Sequence, residues 1–338
     1  MLKRIAFCLL CVSSLSSATI PEKVLICGVA KNVERAIPYT IRSATALGSQ
    51  FVDYRIIIYE NNSSDQTKKL FQNWSETDSH VIFLSENVSN EQFEKELAMG
   101  KKHRTEMIAR ARNIVLDVAM QEQFDSYRYV VWADMDFSYQ WDIENIVDTI
   151  VNPEQEWDAV FAYGAYDLFA LRSPEWPVGF ELVGSYYWSH LNLIRREFIL
   201  RPSDPWKKVY SAFGGFGIYK REALRGCHYS GVVTDDLDTV TIQWLAKARE
   251  KGSVPFLDEY DRLLIMYPAM ELNAKNLVDR NKYPANLGIR LRNGTTTWFS
   301  CTPDATLPWT CEHVTLHASM ILKGHDRFFI NPKIRSHP

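Results

Sequence analysis

VVWADMDFSYQW, residues 130–141, is the stretch on which the fold turns. It begins as an apolar, partly β-branched run that suits a strand covered on both faces. It then sets two carboxylates, Asp134 and Asp136, one residue apart. Side chains at i and i+2 leave an extended backbone on the same side. These acids therefore repel unless a cation lies between them. A divalent metal, a pair of basic side chains or plain solvent would each meet that need, and the surrounding sequence must choose.

Working outward, KVLICGVA (23–30), YRIIIYE (54–60) and HVIFLSE (80–86) read as three more strands. Helical spacing separates them: NVERAIPYTIRSATAL after the first, DQTKKLFQNW after the second, and RTEMIARARNIVLDVAM (104–120) before YVVWAD. Ser64 or Asp65 is placed to cap the second helix. Strands alternating with helices predict a doubly wound α/β sheet. In such sheets ligands bind beyond the carboxyl ends of the strands. Glu60-Asn61 and Asp134-x-Asp136 both stand at such ends, so they face one crevice. No GxGxxG follows the first strand and no GxxxxGK[ST] loop occurs, which leaves the usual dinucleotide and P-loop folds unsupported.

The second half is less regular. DIENIVDTIV reads as a helix, WDAVFAYGAY as a strand and SVPFLDEYDRLLIMYP as a strand with its return. SAFGGFGIYKREAL places Gly214, Gly215 and Gly217 before a strand-like Ile218-Tyr219. TDDLD, with Asp235, Asp236 and Asp238, opens another helix, and EHVTLHASMILK sets His313 and His317 four residues apart on one helical face. One catalytic domain over 19–338 is expected, with a nucleotide-binding half at 23–137 and an acceptor half at 138–338.

The 338 residues are 46% hydrophobic and 23% charged, an ordinary globular composition. A net charge of −3 argues against nucleic acid as a partner, since such proteins carry a basic face. MLKRIAFCLLCVSSLSSA at 1–18 has a basic start, an apolar centre and a small-residue end, the pattern of a secretory signal peptide. Its other reading is a short uncleaved anchor. The expected location is the secretory pathway or outside the cell, with membrane association only through that N-terminus. No later run is long and apolar enough to span a bilayer. In an oxidising compartment Cys301 and Cys311 could close a short loop.

Each chemical cluster also has a structural reading. Asp is common in turns, so the acid pair alone says little. Glu60 or Asn61 would hydrogen-bond a ribose or base, or belong to a capping turn. Arg110 or Arg112 of ARARN would oppose phosphate or the acids, or lie on a solvated helix face. TDDLD is favoured at a helix N-terminus by the dipole, yet crowded carboxylates also raise one another's pKa and so poise a base. His313 or His317 would complete a metal shell or pack structurally, and His325 is a third candidate.

Taken together, 23–252 resembles glycosyltransferases of the GT-A fold, most closely the family 2-like group. The residues that carry the resemblance are ENNSSDQT at the second strand end, Ala111-Arg112-Asn113, WADMD, the Gly-rich YKREAL segment and TDDLD, in that order. Some features are also similar to the cryptococcal capsular mannosyltransferase group. The resemblance implies Mn²⁺ or Mg²⁺ and a UDP- or GDP-sugar donor. By it, Asp134 and Asp136 would hold the metal and diphosphate, Asp136 most directly. Glu60 would meet the nucleoside beside Ala30, and Arg112 would sit near the nucleotide. Asp236, with Asp235 beside it, would deprotonate the acceptor, and His313 or His317 would ligate the metal. Glu60 stands where the group has Asp, and Asp235 where it has Glu. Family 2 inverts the anomeric centre and the capsular group retains it, so the outcome stays open.

The expected function is hexosyl transfer to a glycan, lipid or protein hydroxyl. The alternatives are a sugar nucleotidyltransferase, for which GVAKNVERA is a poor phosphate loop, and a catalytically inactive carbohydrate-binding protein.

Overall fold

The computed structural model describes residues 19–96, 104–164, 167–177, 179, 194–250, 287–290, 296–299 and 310–336. The N-terminal 1–18 segment, the strand expected at 253–268 and Cys301 lie outside these residues. Cys311 is a buried free thiol.

Four apolar runs form the strands expected of them: β1 (Ile20–Ala30), β2 (Phe51–Asn61), β3 (Val81–Glu86) and β4 (Tyr129–Ala133). They pair in parallel in the order β3-β2-β1-β4. Between them run α1 (Ile37–Gly48), α2 (Thr67–Thr77), α3 (Asn90–Glu96) and α4 (Arg104–Ala119). Further along come α5 (Ile143–Val151), β5 (Ala159–Tyr163), β6 (Lys207–Val209), β7 (Phe216–Lys220) and α6 (Asp235–Glu250). A two-stranded antiparallel pair, β8 (Leu287–Arg290) and β9 (Thr296–Phe299), stands apart. The last described elements are α7 (Glu312–Leu322) and β10 (Phe328–Arg335).

The main sheet has eight strands in the order β3-β2-β1-β4-β7-β5-β10-β6. It is mixed: β7 runs antiparallel to both β4 and β5, and β6 antiparallel to β10. Alternate strand residues feed two cores, as the period of two requires. Leu25, Cys27, Ile57, Val130 and Trp132 pack with α4 residues Ala111, Val115 and Leu116 and with α7 residues Val314 and Leu316. Val24, Ile26, Ile56, Ile58 and Val131 pack with Ile37, Ala44 and Leu47 of α1, Phe71 and Trp74 of α2, and Ile146 of α5. Both faces are thus covered by helices, which is why the central strands read as continuous apolar runs rather than alternating ones. Among the described residues no helix is long and apolar enough to cross a membrane.

Candidate functional site

Beyond the carboxyl ends of β1, β2, β4 and β5 lies a cavity of about 850 Å³. That is a size that holds a cofactor-sized ligand. Its walls come from Ala30, Asn61, Arg112, Asp134 and Asp136, and from Glu312 and His313 at the start of α7. Residues on five separate elements, from 30 to 313 in the chain, therefore meet here.

The wall at the β1 and β2 ends is laced by mutual capping. Ser64 N–H donates to Asn32 Oδ1 at 2.8 Å, and Asn32 N–H donates to Ser63 Oγ at 3.1 Å. Val33 N–H donates to Thr67 Oγ1 at 2.7 Å, while Asp65 accepts from both Glu34 N–H and Thr67 N–H. Asn32 and Asn62 both have φ near +55°, a left-handed conformation that Asn tolerates better than most residues. The short polar residues of ENNSSDQT thus tie two loops into one edge. Asn61 lines the cavity. Glu60 does not reach it, contrary to expectation. Its carboxylate is 1% exposed and accepts from Ser63 N–H at 2.7 Å and Ser85 Oγ at 2.8 Å. Those bonds hold it inside the turn, where it stiffens the wall rather than meeting a ligand.

The acid pair sits on a turn directly after β4. Met135 between the two acids points inward and is 1% exposed. Its space comes from Gly28 of β1, where a Cβ would lie 1.9 Å from Met135 Cε. Thr40 Oγ1 donates to Met135 O at 3.2 Å, which ties the turn to α1. With Met135 anchored below, Asp134 and Asp136 both line the cavity, and Asp136 is exposed.

Asp134 does not face bare solvent. Arg112 Nη2 donates to Asp134 Oδ1 at 3.2 Å, and Arg112 Nε donates to Glu312 Oε1 at 3.1 Å. The guanidinium is 4% exposed and lies over Phe213, 4.9 Å from the ring centroid, with Trp132 at 5.4 Å. Burial opposes its charge, but Glu312 and then Asp134 outweigh that and hold it cationic. Its Nη1 has no hydrogen-bond partner. Next to Glu312, His313 stacks on Phe213 with centroids 3.8 Å apart. The His313 ring is 1% exposed, yet neither of its nitrogens has a partner. Burial, and then Arg112, hold it well below the usual imidazole range, so it is neutral.

Two acids of the cavity went unnoticed in the sequence. Asp167 follows β5 as Asp134 follows β4, so the strand-end rule could have found it. Burial, then Asp134 and Glu312, push its carboxyl up to about 8. The backbone N–H of Gly214 opposes that rise. The neighbouring Gly215 carbonyl accepts Asp134 N–H at 2.9 Å, so the Gly-rich segment orients both acids. Glu312 had a weaker signal: an acid in the first turn of a helix, next to His313.

Three further expectations are corrected. His317 lies behind the cavity, fully buried, with Nδ1 2.8 Å from Ser211 Oγ and Nε2 3.0 Å from Tyr219 Oη. Both nitrogens are committed to the core, so His317 is not a metal ligand. Asp235 and Asp236 do not line the cavity. They occupy the first turn of α6, where Thr234 Oγ1 accepts Leu237 N–H at 3.2 Å and the helix dipole favours acids.

Asp134, Asp136 and His313 all line this cavity, offering two carboxylates and an imidazole of the kinds that Mn²⁺ or Mg²⁺ accepts. Among the described residues no three such groups form a ready-made metal cage.

No family model and no curated protein matches the chain. It is similar to a mannosyltransferase from Pyrobaculum calidifontis in complex with GDP-Man and Mn²⁺, at 16% identity and a TM-score of 0.36, over 63% of this chain and 50% of that one. It is similar to S. aureus TarS residues 1–349 at 13% identity and 0.35, over 67% and 55%. It is also similar to M. tuberculosis glucosyl-3-phosphoglycerate synthase at 18% identity and 0.33, over 60% and 58%. The chain thus spans between 50% and 58% of the length of each of these structures.

Proposed function

We propose that this chain is a metal-dependent glycosyltransferase of the GT-A type, moving a hexose from a UDP- or GDP-sugar to a hydroxyl of a glycan, lipid or protein. The observation that carries the reading is the buried, neutral His313 with two unpartnered nitrogens on the same cavity as Asp134 and Asp136. An unsatisfied buried imidazole calls for a ligand. Asp136, Asp134 and His313 would hold the metal, which when bound offsets the negative charge that develops on the departing diphosphate.

The chain's own groups divide the cavity by position. Ala30 and Asn61, at the β1 and β2 ends, take the nucleoside. The exposed cations Lys31 and Arg104 on the rim face the phosphates. Arg112 offers its spare Nη1–H to a ligand oxygen while keeping Asp134 oriented. Asp167 stands on the far side of Asp134 from the nucleoside, and meets hydroxyls of the transferred sugar or of the acceptor. The segment at 1–18 sends the protein into the export route, which fits work on exported glycans.

A calorimetric screen of UDP- and GDP-sugars with Mn²⁺ tests this reading. Wild type should bind one donor class only with metal, and Asp136→Ala should lose that binding and all transfer while keeping its melting profile. Full metal-stimulated transfer by Asp136→Ala would sink the metal role.

A further inference from the structure

The chain Asp134–Arg112–Glu312–His313 joins the acidic turn to the first residues of α7 through one buried guanidinium. We propose that Glu312 is a positioning residue of this site, dividing Arg112 between two carboxylates so that the acid pair and His313 are presented together to metal and donor. The inference rests on the reading of the cavity as a nucleotide-sugar and metal site.

The argument begins from what Glu312 touches. It is 7% exposed, and Oε1 takes Arg112 Nε–H at 3.1 Å while lying 3.7 Å from His313 Nε2. Oε2 accepts from Cys311 Sγ at 3.8 Å. A guanidinium facing a single carboxylate tends to engage it through two parallel N–H bonds. Here Glu312 claims Nε, so Arg112 meets Asp134 through Nη2 alone. Without Glu312, Asp134 would be the hydrogen-bonded counter-charge left to the buried cation, with Asp167 the next acid of the cavity, and the guanidinium would turn toward Asp134. Asp134 would then be drawn from the cavity, and Nη1 would lose its present direction.

Glu312 also fixes where His313 stands. The two residues open the same helix, and the His313 nitrogens make no hydrogen bond of their own. Among the described residues its ring packs on Phe213, Tyr229 and His317. Bonds through Gly231 and Ser230 also register α7 against α4, but the tie from Glu312 to Arg112 is the one that reaches on to Asp134 at the end of β4. Groups that orient a metal's ligands in this way typically change its affinity about 10- to 100-fold when removed.

The test compares Glu312→Ala and Glu312→Gln with wild type in the full chain. Bound Mn²⁺ is measured by electron paramagnetic resonance with UDP and with GDP, and urea unfolding is followed on the same samples. Glu312→Ala should weaken Mn²⁺ binding at least about tenfold. Glu312→Gln keeps an acceptor for Nε–H but drops the charge, so it should fall between. A purely structural Glu312 would lower the unfolding midpoint and leave Mn²⁺ affinity of the folded protein unchanged, which overturns the proposal. If Glu312→Ala does not fold, unchanged affinity in Glu312→Gln overturns it equally. If wild type binds Mn²⁺ with neither nucleotide, the reading of the cavity falls and this inference with it. Wild-type binding with indifferent variants sinks the inference alone.

Discussion

Replacing Gly214 with alanine puts a number on how tightly Asp167 and Asp134 are held. Gly214 has φ +61°, where an L-residue costs about 1–2 kcal/mol. Its Cβ would lie 2.4 Å from the carbonyl oxygen of Ala162, which is backbone of the interior strand β5 and cannot swing away like a side-chain tip. Overpacking of that kind adds about 1–3 kcal/mol. Alanine recovers about 0.4–1 kcal/mol by restricting the unfolded chain. The net loss is about 1–5 kcal/mol. Gly324 supplies the control, because it has φ +90° and nothing within 4 Å of its would-be Cβ. Gly324→Ala meets only the conformational cost and should lose about 1.6 kcal/mol or less. Urea unfolding followed by tryptophan fluorescence measures both. Gly214→Ala should also weaken Mn²⁺–nucleotide binding, because the displaced segment carries the N–H that meets Asp167 and the carbonyl that meets Asp134 N–H. Equal losses in the two variants, with binding intact in Gly214→Ala, would refute the idea that this turn is sterically fixed and sets the site.

The two histidines of α7 should separate cleanly. His313→Ala is expected to lose Mn²⁺ affinity, and to lose stability through the cavity it leaves against Phe213. His317→Leu leaves the Ser211 and Tyr219 hydroxyls buried without their partner, at about 1–3 kcal/mol each, while metal binding persists. Burial pushes His317 down to about 3. The unfolded chain therefore binds the extra proton first, and wild type should lose stability as pH falls from the ordinary imidazole range toward 3; His317→Leu should flatten that slope, with His313, likewise held neutral by burial, keeping its own share. Asp236→Asn should keep near-normal turnover, as a first-turn acid of α6 would; a loss of orders of magnitude in kcat would restore it to the chemistry.

The sequence reads best where periodicity is local. Strands β1 to β4 and helices α1, α2 and α4 follow directly from apolar runs and capping residues, because each buries its own pattern against a near neighbour. The insertion of β7 between β4 and β5, and the place of β10 beside β5, depend on pairings between distant segments that no short window contains. The site divides the same way. Asp134, Asp136 and Asn61 were legible as strand ends, and Asp167 obeys the same rule one strand further on. Glu60 misled because a strand-end acid serves equally well to cap a turn, and only its Ser63 and Ser85 partners tell the two apart. His313 and His317 share a helical face by spacing, yet one turn of helix carries the second past the cavity wall into the core.

The link from Arg112 to Glu312 spans 200 positions, and its consequence reaches to the order in which the protein forms. Closing so long a loop is entropically slow compared with the local pairings of β1 to β4. The half that carries β1 to β4 can gather its strands early, but the cavity acquires its histidine only when α7 docks. Ligand binding during refolding should therefore appear after most of the helix signal has returned. The lag between the two would time the arrival of the C-terminal helix.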